Sequence, residues 1–75
     1  MIVGPYRLFF WSYDCSEPRH VHVSRERLQA KFWLEPILLA DNNGFWPKEL
    51  RDIERIINEK ADILRSKWDE YCGGA

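Results

Sequence analysis

The stretch His20-Val21-His22-Val23-Ser24-Arg25-Glu26-Arg27-Leu28-Gln29-Ala30-Lys31-Phe32-Trp33-Leu34-Glu35 decides the fold. Apolar and polar residues alternate from His20 to Val23 and again from Leu28 onward, which is the two-residue period of strands with one buried face. A hairpin turning at Arg25-Glu26 sets Val23 against Leu28, His22 against Gln29, Val21 against Ala30 and His20 against Lys31. Val21, Val23, Leu28, Ala30, Phe32 and Leu34 then share one side, and His20, His22, Gln29, Lys31, Trp33 and Glu35 share the other. The two halves agree in parity without adjustment, as a buried face requires. Arg-Glu lacks the positive-φ preference of a tight turn, but a four-residue loop from Ser24 to Arg27 keeps the same facing.

Upstream, Tyr6 to Tyr13 is aromatic-rich and strand-like. Tyr6, Leu8 and Phe10 suit the core, which sends Arg7, Phe9, Trp11 and Tyr13 to the histidine side. Asp14 to Pro18 reads as a loop. Downstream, Pro36 interrupts the pattern and Ile37-Leu38-Leu39-Ala40 forms a short last strand. At Asn42-Asn43-Gly44, a turn cluster, the apolar period changes. Pro47 suits the first helical position and Glu49 the positive end of the helix dipole. Leu50, Ile53, Ile57, Ala61, Leu64, Trp68 and Tyr71 follow at spacings of three and four, so one long helix runs from Pro47 to Tyr71, with Asn58-Glu59 as the place for a kink. Lys48/Asp52, Arg51/Glu54, Asp62/Arg65 and Arg65/Asp69 are neighbours able to pair across its turns. The expectation is a single domain over 1–75: strands in 1–41, a turn at 42–46, a helix at 47–72 and a flexible tail at 73–75. Its fold class is α+β, an antiparallel sheet of three to four strands covered on one face by a long C-terminal helix.

Composition limits the function. A net charge of −1 gives no global positive field for nucleic acid, and 75 residues leave no room for a multidomain enzyme. The apolar stretches are too short to cross a bilayer, and no signal-peptide pattern opens the chain, so no membrane association and a cytoplasmic location are expected. Cys15 and Cys72 are far apart with no second pair; one bridge joining them is an alternative, but the favoured reading is two free thiols of an intracellular protein.

The face opposite the helix is polar, basic and aromatic at once. Trp11, Trp33 and Tyr13 can serve there as stacking platforms beside Arg7, Arg19 and Lys31, for a ligand or for a second copy of the chain. His20 and His22, two apart on a strand, project together. As an acid–base couple on a phosphodiester, one imidazole takes a proton and the other gives one, while Lys31 and Arg19 stabilise the charge that develops. That would make a metal-independent ribonuclease. The bland alternative is a structural pair, half-exposed and stacked on Trp33. A metal shared by the two rings, with Asp14, Cys15 or Glu35 as further ligands, is a third reading. Lys31 opposite His20 would repel a cation, and no metal or other cofactor is assigned. Cys15 near His20 evokes a Cys–His nucleophile pair, but no third member is in place.

The segments Glu17-Pro18-Arg19-His20-Val21-His22-Val23, Ala30-Lys31-Phe32-Trp33-Leu34 and Gly44-Phe45-Trp46-Pro47-Lys48-Glu49-Leu50 resemble a small bacterial domain-of-unknown-function family, number forty-one sixty. The resemblance covers nearly the whole chain and is most specific at Pro-x-His-x-His-Val. Two positions depart from the family pattern: Arg19 stands where a second Pro is usual, and Glu26 where the hairpin turn usually has Gly. The resemblance implies a cytoplasmic bacterial protein encoded beside another small protein, in an arrangement like a toxin–antitoxin pair. It singles out His20 and His22. The expectation is therefore a toxin–antitoxin component that contacts RNA or a cognate small protein through its histidine-bearing face. The alternatives are a non-enzymatic interaction or dimerisation module and a metal-binding domain.

Overall fold

The computed structural model describes residues 1–73, which form a five-stranded antiparallel sheet and two helices. The strands β1 (Ile2–Val3), β2 (Tyr6–Phe9), β3 (His20–Arg25), β4 (Leu28–Leu34) and β5 (Ile37–Asn43) lie side by side in chain order. The helices α1 (Pro47–Glu59) and α2 (Ala61–Tyr71) follow. A 3-10 turn at Ser12–Ser16 joins β2 to β3. The sheet thus has one strand more than the upper expectation, because Ile2 and Val3 fold back to pair with Arg7 and Tyr6.

The parity read from the central stretch holds, but the register is two residues away from the expected one. Val23 faces Ala30, Val21 faces Phe32, His22 faces Lys31 and His20 faces Trp33. The connection is Glu26-Arg27, with Glu26 at φ 56°. That is the first central position of a two-residue loop, where Gly is favoured because it has no Cβ to clash. The equivalent position of the β1–β2 turn holds Gly4, at φ 59°. Moving the register by two leaves every side chain on its face, so the core is as expected: Tyr6, Leu8, Val21, Val23, Ala30, Phe32 and Leu34 from the sheet. Leu28 is only partly buried against it.

From the helices come Ile53, Ile57, Ala61, Leu64 and Trp68, all buried. The stripe keeps its phase, yet the helix is interrupted at Lys60, whose φ of −105° and ψ of 10° separate α1 from α2. The break comes just after the expected kink at Asn58-Glu59. Asn42-Asn43 is not a free turn either: β5 runs on to Asn43, with a bulge at Ala40. Asn42 then holds the chain reversal by accepting from the Phe45 N–H (3.1 Å) and donating to its carbonyl (3.0 Å). Gly44 follows at φ 105°, where a Cβ would stand 2.5 Å from Leu28 Cδ2, so backbone and space both call for glycine.

Polar clamps fix the helices to the sheet. Glu49 accepts Arg25 Nε (2.7 Å) and Nη2 (2.8 Å) in a bidentate pair and also the Tyr6 hydroxyl (2.7 Å). Arg65 donates twice to the Leu34 carbonyl. Of the expected helix-surface pairs, Arg65–Asp62 forms (3.5 Å), whereas Asp69 turns to Arg19 instead of Arg65. The reading of two free thiols is corrected: Cys15 and Cys72 form a disulfide that ties the 3-10 turn to the end of α2. The ends of the chain meet only through the tertiary fold, which local spacing does not reveal. With that bond, the thiol argument for an intracellular protein falls away. Of the tail read as flexible, Gly74 and Ala75 lie outside the described residues.

Candidate functional site

The 3-10 turn lies over the histidine side of the sheet and brings Asp14 to the two rings. Trp11 and Asp14 lock the turn reciprocally: the Trp11 N–H donates to Asp14 Oδ2 (2.7 Å) and the Asp14 N–H to the Trp11 carbonyl (3.0 Å). Asp14 is thereby held at 4% exposure between both imidazoles. His22 Nε2 donates to its Oδ2 (2.8 Å), and His20 Nε2 stands 3.2 Å from its Oδ1. Burial pushes the Asp14 carboxyl up, but the Trp11 N–H and the two imidazoles outweigh it and hold it below its ordinary value. The carboxylate is ionised at neutral pH.

The two histidines are not equivalent. His20 is fully buried, whereas the His22 side chain retains 18% exposure. This corrects the expectation that both rings face solvent. Strand parity does send His20 away from the main core, but the 3-10 turn and the end of α2 close over it. Its ring packs 4.9 Å from Trp68 and 5.6 Å from Trp33, centroid to centroid. His20 Nδ1–H donates to the Pro18 carbonyl (2.9 Å), and its Nε2 has no hydrogen-bond partner. Since that carbonyl can only accept, Nδ1 must carry a proton. His22 stacks on Phe9 (5.5 Å) and meets the edge of Trp11 (6.3 Å).

The cations expected to stabilise a phosphoryl group are occupied. Lys31 lies opposite His22, not His20; its Nζ is 2.7 Å from Glu17 and 4.6 Å above the Trp33 ring. Arg19 is clamped between Asp69 and Glu35, which raises its pKa further, first through the Asp69 hydrogen bonds. Arg7 sits over Phe9 at 5.1 Å. The structure thus brings His20, His22 and Lys31 into one neighbourhood but turns Arg19 toward α2.

Trp11 and Tyr13 form a parallel stack (6.2 Å, 6°) and remain 45% and 73% exposed. Beside them is a cavity of about 270 Å³ lined by Trp11, Tyr13, His22, Lys31, Asp41 and neighbouring residues. A wider cavity of about 420 Å³, between Leu8, Phe10, Leu64 and Tyr71, touches none of the cluster. Apart from opening the loop that ends at Pro18, Asp14 is legible in the sequence only as a further ligand of a metal, with no spacing to favour it. Trp68 appeared only as a member of the helix stripe, and nothing in the periodicity announces that it also seals an imidazole.

The family model described as "Domain of unknown function (DUF4160)" matches residues 6–69, a span that contains the whole cluster. Two rice proteins share a short segment: Protein DWARF 53 is 46% identical over 35 residues, and Protein DWARF 53-LIKE is 43% identical over 35. Each match takes in 47% of this chain and 3% of the rice protein, so the likeness is to a small segment of much longer chains. No solved structure matches. Among the described residues, no helix is long and apolar enough to cross a membrane.

Proposed function

The chain belongs to the family described as domain of unknown function DUF4160, and we propose that it works as a protein-binding module. The partner docks on the open sheet face, with the Trp11–Tyr13 stack as its anchor beside His22. The observation that carries this reading is the exposure of that stack, 45% and 73%, on the turn that the Trp11–Asp14 hydrogen bonds close. Aromatic anchors of this kind supply contact area at low entropic cost, and they are the residues that most often dominate binding energy. Leu38, 58% exposed, follows Trp33 in the same cross-strand row. Protein is favoured over RNA by charge: the net charge is −1, and Lys31 and Arg19 are both paired with acids.

The finer setting, one half of a toxin–antitoxin pair in a bacterial cytoplasm with its cognate protein encoded nearby, comes with the family resemblance. Metal-independent RNA cleavage by His20 and His22 is not part of this reading, since a buried His20 cannot meet a substrate. The test is co-purification of the untagged chain with the tagged protein encoded beside it, using wild type and a Trp11→Ala/Tyr13→Ala variant of verified fold. Capture of the wild type and its loss in the variant support the reading. Equal capture of both, or capture of neither, contradicts it, as does a wild-type homodimer that the double variant dissolves.

A further inference from the structure

We propose that Asp14, His20 and His22 form a binding site for one divalent transition-metal ion, of which zinc is the test case. The inference starts from an orphaned atom. With Nδ1–H committed to the Pro18 carbonyl, the His20 ring turns its Nε2 into the buried interior, and that atom has no hydrogen-bond partner. Leaving a buried polar atom unpaired is costly. Asp14 Oδ1 stands 3.2 Å from it. A proton on Nε2 would satisfy this pair alone, and the contact is not aligned as a hydrogen bond. A cation satisfies both and engages His22 as well.

The distances suit an ion. One ligand atom from each of the three residues lies within 4.8 Å of the other two. Metal–ligand bonds of about 2.0–2.1 Å place tetrahedral ligands about 3.3 Å apart. Asp14 turns a different oxygen to each ring, and its Oδ1 stands 3.2 Å from His20 Nε2, close to that value. The Asp14–His22 pair, drawn in to 2.8 Å by its hydrogen bond, has to open by roughly half an ångström to reach the same ligand spacing. Uptake displaces the proton that His22 Nε2 shares with Asp14, which passes to His22 Nδ1 or to solvent.

The surroundings are those of a metal site. His20 is oriented by a carbonyl on its far nitrogen, and Asp14 by the Trp11 N–H. These are the outer contacts that hold ligating groups in place. Lys31, the cation facing His22, is neutralised by Glu17 and does not oppose an incoming ion. His22, partly exposed and lining the cavity, gives a route in. Two imidazoles and one carboxylate favour zinc and its first-row neighbours over calcium or magnesium.

The experiment is a calorimetric Zn²⁺ titration of the untagged full chain after treatment with a chelator, for wild type and His22→Gln. One site per chain is expected, with affinity falling at least tenfold in His22→Gln while circular dichroism shows the fold intact. Imidazole ¹⁵N spectra of the wild type supply a readout that needs no variant: one equivalent of Zn²⁺ shifts both Nε2 resonances. Absence of saturable one-to-one binding overturns the proposal. So does unchanged affinity in His22→Gln, or a shift confined to His22.

Discussion

Trp68→Ala and Trp46→Ala make the same chemical change at two sites that differ in burial. Trp68 is 5% exposed and packs against His20 and against Phe10, whose ring centroid lies 5.5 Å away. Trp46 is 78% exposed, precedes α1, and makes no side-chain capping bond. Truncating a buried Trp removes its transfer energy and leaves a cavity, a loss of about 3–5 kcal/mol. An exposed substitution stays within about 0.5 kcal/mol. A domain of this length has roughly 4–11 kcal/mol in total, so Trp68→Ala removes between about a quarter and all of it. At about 4–8 °C per kcal/mol for this size, the melting temperature falls by about 12 °C or more. Urea and thermal unfolding followed by far-UV circular dichroism measure both variants without relying on the fluorophore that was removed. Equal losses in the two, or a loss below about 1 kcal/mol for Trp68→Ala, would refute the packing of α2 over His20.

Three more outcomes are expected. The Arg25 hydrogen bonds, and then that of Tyr6, hold Glu49 below its ordinary pKa of 4.5, so the stability it contributes is complete above that pH and is lost as pH falls through the folded value. Wild type therefore exceeds Glu49→Gln in urea midpoint at pH 7, and the gap closes in acid; a gap independent of pH contradicts the clamp. Glu26→Gly relieves a positive φ at the expense of one exposed ion pair with Arg25, raising stability by about 0.5–1 kcal/mol in the same assay. Cys15→Ser/Cys72→Ser opens a cross-link spanning 57 residues and lowers stability by roughly 2–4 kcal/mol, while a reducing agent has no effect on the variant.

What could be read from the chain was what repeats along it. The alternation around His20-Val21-His22-Val23 placed the core face, and the same period put Phe9, Trp11 and Tyr13 on the side of His22, where they lie. The register was not legible because the turn carries Glu26 where glycine would have marked it. The helix break at Lys60 leaves the apolar stripe in phase, so periodicity could not show it. Ile2 and Val3 form too short a strand to carry a pattern. His20 was misjudged because strand parity describes only the sheet. Its burial depends on a 3-10 turn folding over one side and on Trp68 arriving from residues far along the chain. Asp14 and the Cys15–Cys72 bond belong to that same cover.

The account rests on one histidine sealed inside and the other at the mouth of the site. Diethyl pyrocarbonate modification of the native, chelator-treated chain, mapped by peptide mass spectrometry, tests this directly. The structure predicts that His22 is modified while His20 stays protected until the chain is unfolded. Modification of His20 as fast as His22 in the folded protein would contradict it.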